Sequence, residues 1–155
     1  MKTSSVLLVF ALVCPPAASA AAVARGPQPG DVYREFVAHQ AGNDWRVTNP
    51  DVEGERQRKH LPNPVLRFSI NALDGAMRAE ALLDRWGGHV QTRRPQIRFN
   101  GNAWLDVPLP LVPPSPGEPE GHYFQDNPVI AVPLEHLKAG LNTFEGTTTH
   151  ANPKG

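Results

Sequence analysis

Seventeen prolines and thirteen glycines interrupt the 155-residue chain. Proline removes a main-chain donor and fixes φ, and glycine favours turns, so a chain cut this often suits short strands better than long helices. A helical bundle is excluded on that ground. The length allows one domain of ordinary size and not two well-packed ones. Fifteen basic residues balance fifteen acidic ones, so the totals point to neither a nucleic-acid binder nor a polyanion scavenger. Cys14 is the only cysteine, which rules out a disulfide scaffold or a cysteine-rich zinc site.

The first twenty residues read as an address. Lys2 supplies a positive start, Val6 to Val13 an apolar core, and Ala18-Ser19-Ala20 the small residues a signal peptidase needs. The apolar run is too short to span a bilayer. Residues 1–20 are therefore expected to be a cleaved signal peptide, with the protein secreted or periplasmic and off the membrane after cleavage. Lipid attachment at Cys14 is disfavoured by bulky Val13 before it and prolines after it. Cleavage removes Lys2 as the only charged residue and leaves a 135-residue chain with one more acid than base.

Residues 21–30 lack periodicity and read as a flexible leader, with the domain beginning near Asp31. The aromatic and β-branched stretch from Val32 to Ala38 predicts a first strand, and proline-bounded residues 49–64 a loop. Leu66-Arg67-Phe68-Ser69-Ile70 alternates strictly, so a strand here buries Leu66, Phe68 and Ile70 on one face. The segment from Ala76 to Trp86 is ambiguous. Local propensity favours a helix, whose spacing groups Ala79, Leu82, Leu83 and Trp86; a strand groups Met77, Ala79, Ala81 and Leu83. We read it as a strand, because an isolated short helix needs a packed face and no helical partner is visible elsewhere.

Gln96 to Val107 reads as a β-hairpin around Asn100-Gly101-Asn102. A two-residue Asn100-Gly101 turn would pair Ile97 with Trp104. A three-residue connection, with Asn102 left-handed, would pair Phe99 with Ala103 and Ile97 with Leu105. The second register collects Ile97, Phe99, Ala103, Leu105 and Val107 on the core face and turns Trp104 outward beside Arg98. Six prolines between Pro108 and Pro119 then mark an extended loop. Val129 to Val132 reads as a strand, Pro133 to Lys138 as a helical turn, and Leu141 to Glu145 as another strand.

This order of elements, with Asp84-Arg85-Trp86-Gly87-Gly88-His89 and the phrase Leu137-Lys138-Ala139-Gly140-Leu141-Asn142-Thr143-Phe144, resembles the galactose-binding-like jelly rolls of secreted bacterial glycoside hydrolases. The likeness covers roughly residues 64–146. It implies an all-β antiparallel sandwich over residues 31–146, also favours a strand at 76–86, and implies a carbohydrate ligand. The polar stretch 147–155 is expected to be a disordered tail. It departs from the further aromatic strand usual in the family, so either the sheet closes differently or a final strand is missing, leaving an edge free to pair.

Carbohydrate recognition needs an aromatic face and convergent polar groups. The residues expected to bind are Trp104, Trp86, His89, Arg98 and Asn102; for either tryptophan the competing reading is a buried plug. A glycosidase needs two carboxylates about 5 Å or 6.5–9.5 Å apart. Glu80 and Asp84 share a strand face, but their backbones are separated by roughly 13 Å. They, Asp106 and Glu145 read as solvated surface charge, and no catalytic residue is assigned. The six histidines never form a close pair, so zinc is unsupported. The resemblance allows a structural calcium, which no acidic loop pattern locates. The functional expectation is a secreted, non-catalytic carbohydrate-binding module. The alternative is an assembly module docking another extracellular protein through a sheet edge or the proline-rich loop. Nucleic acid is not an expected partner.

Overall fold

The computed structural model describes residues 6–12, 25–38, 45–86, 92–108 and 125–150. The strands are β1 (Val6–Leu12), β2 (Val32–Ala38), β3 (Leu66–Ile70), β4 (Ala79–Leu83), β5 (Arg85–Trp86), β6 (Thr92–Phe99), β7 (Leu105–Asp106), β8 (Gln125–Asp126), β9 (Val129–Val132) and β10 (Gly140–His150). A four-residue helix α1 (Glu55–Arg58) and a 3-10 turn over Leu134–His136 complete the described elements. One sheet has the order β2-β1-β4-β9, the other β3-β10-β6-β7, and β5 pairs with β8. Every pairing is antiparallel. The protein is an all-β sandwich.

Alternation along the strands builds the core. In β3, Leu66, Phe68 and Ile70 are buried and Arg67 and Ser69 exposed, as the period-two pattern predicts. The opposite sheet contributes Ala79, Ala81 and Leu83 from β4 and Ile130 and Val132 from β9. Small alanines there face large aromatics across the sandwich. Phe144 of β10 stands in register with Leu66 on one side and Phe99 on the other. The Phe99 and Phe144 ring centroids lie 5.2 Å apart, and Phe68 meets Phe99 edge-on at 6.1 Å. Such pairs contribute about 0.5–1.5 kcal/mol beyond their area burial.

The ambiguous segment is a strand. Residues 79–83 pair with β1 on one side and β9 on the other, so two ladders of main-chain hydrogen bonds outweigh the local helical preference. Met77 does not join the buried face: β4 begins two residues later, and Met77 is exposed. The loop 49–64 is interrupted by α1, and the helical turn expected after Pro133 is the 3-10 turn at Leu134–His136.

Both ends of the expected domain extend further than the sequence suggests. Val6–Leu12, within the segment read as a signal peptide, forms β1 between β2 and β4. Of the expected flexible leader, residues 25–30 are described and are tied down. The Arg25 N–H donates to Glu80 at 3.1 Å, Arg78 donates to the Gly26 carbonyl, and the Gln28 N–H donates to Asp31. The Gln28 N–H, with the Arg78 guanidinium beside it, holds the Asp31 carboxyl below the ordinary carboxylate range. The disordered tail does not begin at residue 147. Thr147 to His150 continue β10 against β6, because threonines suit a strand and Arg93 O accepts from the Thr148 and Thr149 hydroxyls.

Trp45 closes the sandwich over β10. Its ring lies 5.0 Å from that of Phe144, and its indole N–H donates to the Pro64 carbonyl at 3.1 Å. Gly146 makes this approach feasible, since a Cβ there would stand 2.6 Å from Trp45 Cη2 and 2.9 Å from Val47 Cγ2. Trp45 is held by its hydrogen bond to Pro64 and its ring contact with Phe144, so the overlap has no cheap escape. Gly146→Ala is expected to destabilise the fold by about 1–3 kcal/mol, seen as a lower urea midpoint with an unchanged slope.

Candidate functional site

The β6–β7 hairpin presents the exposed tryptophan, and its turn is built by asparagines. Asn100 and Gly101 both have positive φ, at 52° and 72°, and the Asn102 N–H donates to Phe99 O at 2.9 Å. This is the pattern of a type I′ turn, for which Asn-Gly is the preferred pair. The expected left-handed Asn102 is therefore corrected, because the two residues that tolerate positive φ best take the turn. Yet Ile97 still pairs with Leu105 and Gln96 with Asp106. One residue more than a two-residue turn requires is absorbed between Asn102 and Trp104. As a result Ala103 is exposed rather than paired over the core, while Ile97, Phe99 and Val107 are buried.

A buried amide fixes this hairpin to the sandwich. Asn142, fully buried in β10, accepts from the Lys138 N–H and donates to the Lys138 and Gly140 carbonyls. Its Oδ1 also accepts from Asn100 Nδ2 at 2.7 Å. The same Asn100 nitrogen donates to His136 O, and Asn100 Oδ1 accepts the Thr143 N–H at 3.0 Å. Asn102 Nδ2 donates to Phe99 O at 2.9 Å and to His136 O at 3.4 Å. Three asparagines thus join the turn, the residues flanking the 3-10 segment, and β10.

On the outer face of this sheet, side chains alternate with the core residues. Arg98 and Glu145 stand opposite each other on β6 and β10 and form a forked ion pair, with Nε–Oε1 at 3.1 Å and Nη2–Oε2 at 2.7 Å. The Arg98 guanidinium lies 4.4 Å from the Trp104 ring centroid. One aromatic plane, one cation and one carboxylate are therefore aligned across three strands or their connections. Arg98 and Glu145 side chains are 31% and 24% exposed, so solvent screens the pair and its contribution is about 0.5–1 kcal/mol. Beside them Gln96 donates to Asp106 at 2.7 Å. Trp104 itself is 36% exposed, as expected of a ring turned away from the core.

Of the five residues expected to bind a ligand, Trp104 and Arg98 are in contact and Asn102 lies in the same hairpin. The Asn102 amide nitrogen is engaged in holding the turn. His89 and the side chain of Trp86 lie outside the described residues, as does the proline-rich loop from residue 109 to 119. The main chain of Trp86 belongs to the separate β5–β8 ribbon, where Arg85 grips Asp126 through contacts of 2.8 and 2.6 Å. Glu145 joins the site although the sequence singled it out only as surface charge. Its pairing with Arg98 depends on the β10–β6 register, for which neither local sequence offers a signal. Glu80 is also corrected: it is 3% exposed, covered on the outer side of β4 rather than solvated.

Among the described residues, no group of three or more His, Cys, Asp or Glu side chains is placed to hold a metal ion. The site consists of an exposed indole with a guanidinium over one face and a carboxylate paired to that guanidinium. Its presentation depends on Asn142, whose removal would strand several buried partners at once. Asn142→Ala is expected to cost about 2–4 kcal/mol, measured by chemical denaturation. It should also weaken the stacking of Arg98 on Trp104, seen as a change in tryptophan fluorescence of the folded variant. Comparison with protein-family models, with curated proteins and with solved structures gives no match to this chain.

Proposed function

We propose that this protein is a secreted, non-catalytic carbohydrate-binding module of the galactose-binding-like jelly-roll kind, with the outer face of β6, β7 and β10 as its binding surface. The observation that carries this reading is the exposed Trp104 indole beside the Arg98–Glu145 pair. The indole face not covered by Arg98 stacks on the apolar face of a pyranose, and the guanidinium and carboxylate beside the ring match the acceptors and donors of ring hydroxyls. Arg98 serves twice, since its contact with the ring fixes the indole's orientation before any ligand arrives, which reduces the ordering cost of binding. Asn102 holds the turn of the hairpin that carries Trp104, and this reading also assigns it to the ligand. Trp86 and His89 are the further aromatic and polar groups that this reading assigns to the ligand.

A second reading, docking of another extracellular protein, is favoured by β2. In the uncut chain this strand ends its sheet among the described residues and exposes Val32, Tyr33 and Val37. Apolar side chains on a terminal strand are a recognised route to strand pairing between chains.

A glycan array with the secreted protein separates the two. Binding to one class of saccharide, lost at least about tenfold in Trp104→Ala with an unchanged melting curve, is the expected result and corresponds to about 1.4 kcal/mol. Silence across a broad panel sinks the carbohydrate reading. Concentration-dependent self-association of the uncut chain in sedimentation, abolished by Val37→Lys, would favour the edge.

A further inference from the structure

Glu80 is the least satisfied charged group described in this protein. It sits in the middle of β4, 3% exposed, on the face turned away from Ala79 and Ala81. One oxygen, Oε1, accepts the Arg25 main-chain N–H at 3.1 Å and lies 3.8 Å from Arg78 Nε. The other, Oε2, is buried with no hydrogen-bond partner, and so is Arg78 Nε. A carboxylate accepts from about four directions. Here it has one neutral N–H and an Arg78 guanidinium 3.8 Å away that makes no hydrogen bond to it, so most of its accepting capacity is unmet in the interior, which is costly.

The sequence immediately before Arg25 suggests where that donor comes from. Residues 22–24 read Ala22-Val23-Ala24, a small-x-small frame of the sort cut at the end of a secretion leader, as is Ala18-Ser19-Ala20 four residues earlier. We propose that the mature protein begins at Arg25, and that the α-ammonium group created there is the buried counter-ion of Glu80. Hydrolysis adds one water across the Ala24–Arg25 peptide bond. The C–N bond breaks, the water oxygen leaves on the Ala24 carboxylate, and the Arg25 nitrogen becomes an ammonium with three donors. That nitrogen stands 3.1 Å from Oε1, so the new charge and donors arise beside the carboxylate whose Oε2 has no partner. Cleavage after Ala20 would leave a neutral amide at this point and add no charge beside Glu80.

The cut also removes β1, which opens one edge of β4 and takes away the one ladder described for β2. Residues 25–38 stay attached by groups the cut does not touch. Arg34 donates to the Ala72 and Asp74 carbonyls at 3.1 and 2.9 Å, and Arg78 binds Asp31 at 2.9 Å. This inference rests on the secretion reading but not on carbohydrate binding.

The test is to express the full chain in a secreting bacterium and determine the N-terminus of the exported protein by intact mass and terminal sequencing. Arg25 as the first residue is expected. A chain starting at Ala21, or an uncut one, overturns the proposal, whatever the glycan array shows. The role of the ammonium is read from Glu80→Gln. The melting temperature of the processed form should fall by about 5 °C or more, and that of the uncut chain, produced without export, should move by much less. Equal shifts in the two forms would overturn the ion pair.

Discussion

The sandwich depends on one side-chain contact between amides, that of Asn100 with Asn142. Antiparallel sheets satisfy their main-chain groups by pairing, but the ends of strands and the turns between them do not. Here the unsatisfied groups at the entry to β10 converge on Asn142, which both donates and accepts and so can serve N–H and carbonyl partners together. Because Asn100 belongs to the hairpin turn and also reaches Thr143 and His136, one network sets the height of the hairpin relative to the core. Apolar residues could fill the same volume, but they could not specify this alignment of three segments.

From that alignment follows the division of faces. Phe144 is locked between Leu66 and Phe99, and the period of two then sends Glu145 outward opposite Arg98. The extra residue absorbed after the Asn100-Gly101 turn keeps Ile97 opposite Leu105, and Trp104 stands beside Arg98 on the outside. The same geometry that seals the interior therefore assembles the aromatic and charged surface. No separate device is needed to present it, and the site inherits the rigidity of the strands that carry it.

The buried charge on β4 obeys a different logic. Packing explains why Ala79, Ala81 and Leu83 face the core, but it gives no reason for a carboxylate on the covered outer side of the same strand. Arg78 lies 3.8 Å from Glu80 Oε1 but spends its hydrogen bonds on Asp31 and the Gly26 carbonyl. Oε2 is left without a donor, and the ammonium that the proposed cut would create on Arg25 lies beside the same carboxylate, 3.1 Å from Oε1.

Strand alternation in Leu66–Ile70, the hairpin register that pairs Ile97 with Leu105, the short strand at Val129–Val132 and the all-β class were legible in local patterns, because period-two hydrophobicity acts within a few residues. The outward position of Trp104 was likewise within reach, since it depends only on the register of one hairpin. Beyond local reach lay the meeting of Arg98 with Glu145, forty-seven positions apart, the seat of Trp45 on Gly146, and the burial of Glu80. The extension of β10 through His150 also lacked a local signal, as Thr-rich polar sequence becomes strand only when β6 offers a ladder. Sequence by itself determined the all-β class and the apolar side of strands such as Leu66–Ile70, for those are short-range properties of the chain. Tertiary structure alone decided which strands lie side by side, because long-range pairing is settled by the burial and hydrogen bonding of the whole sandwich.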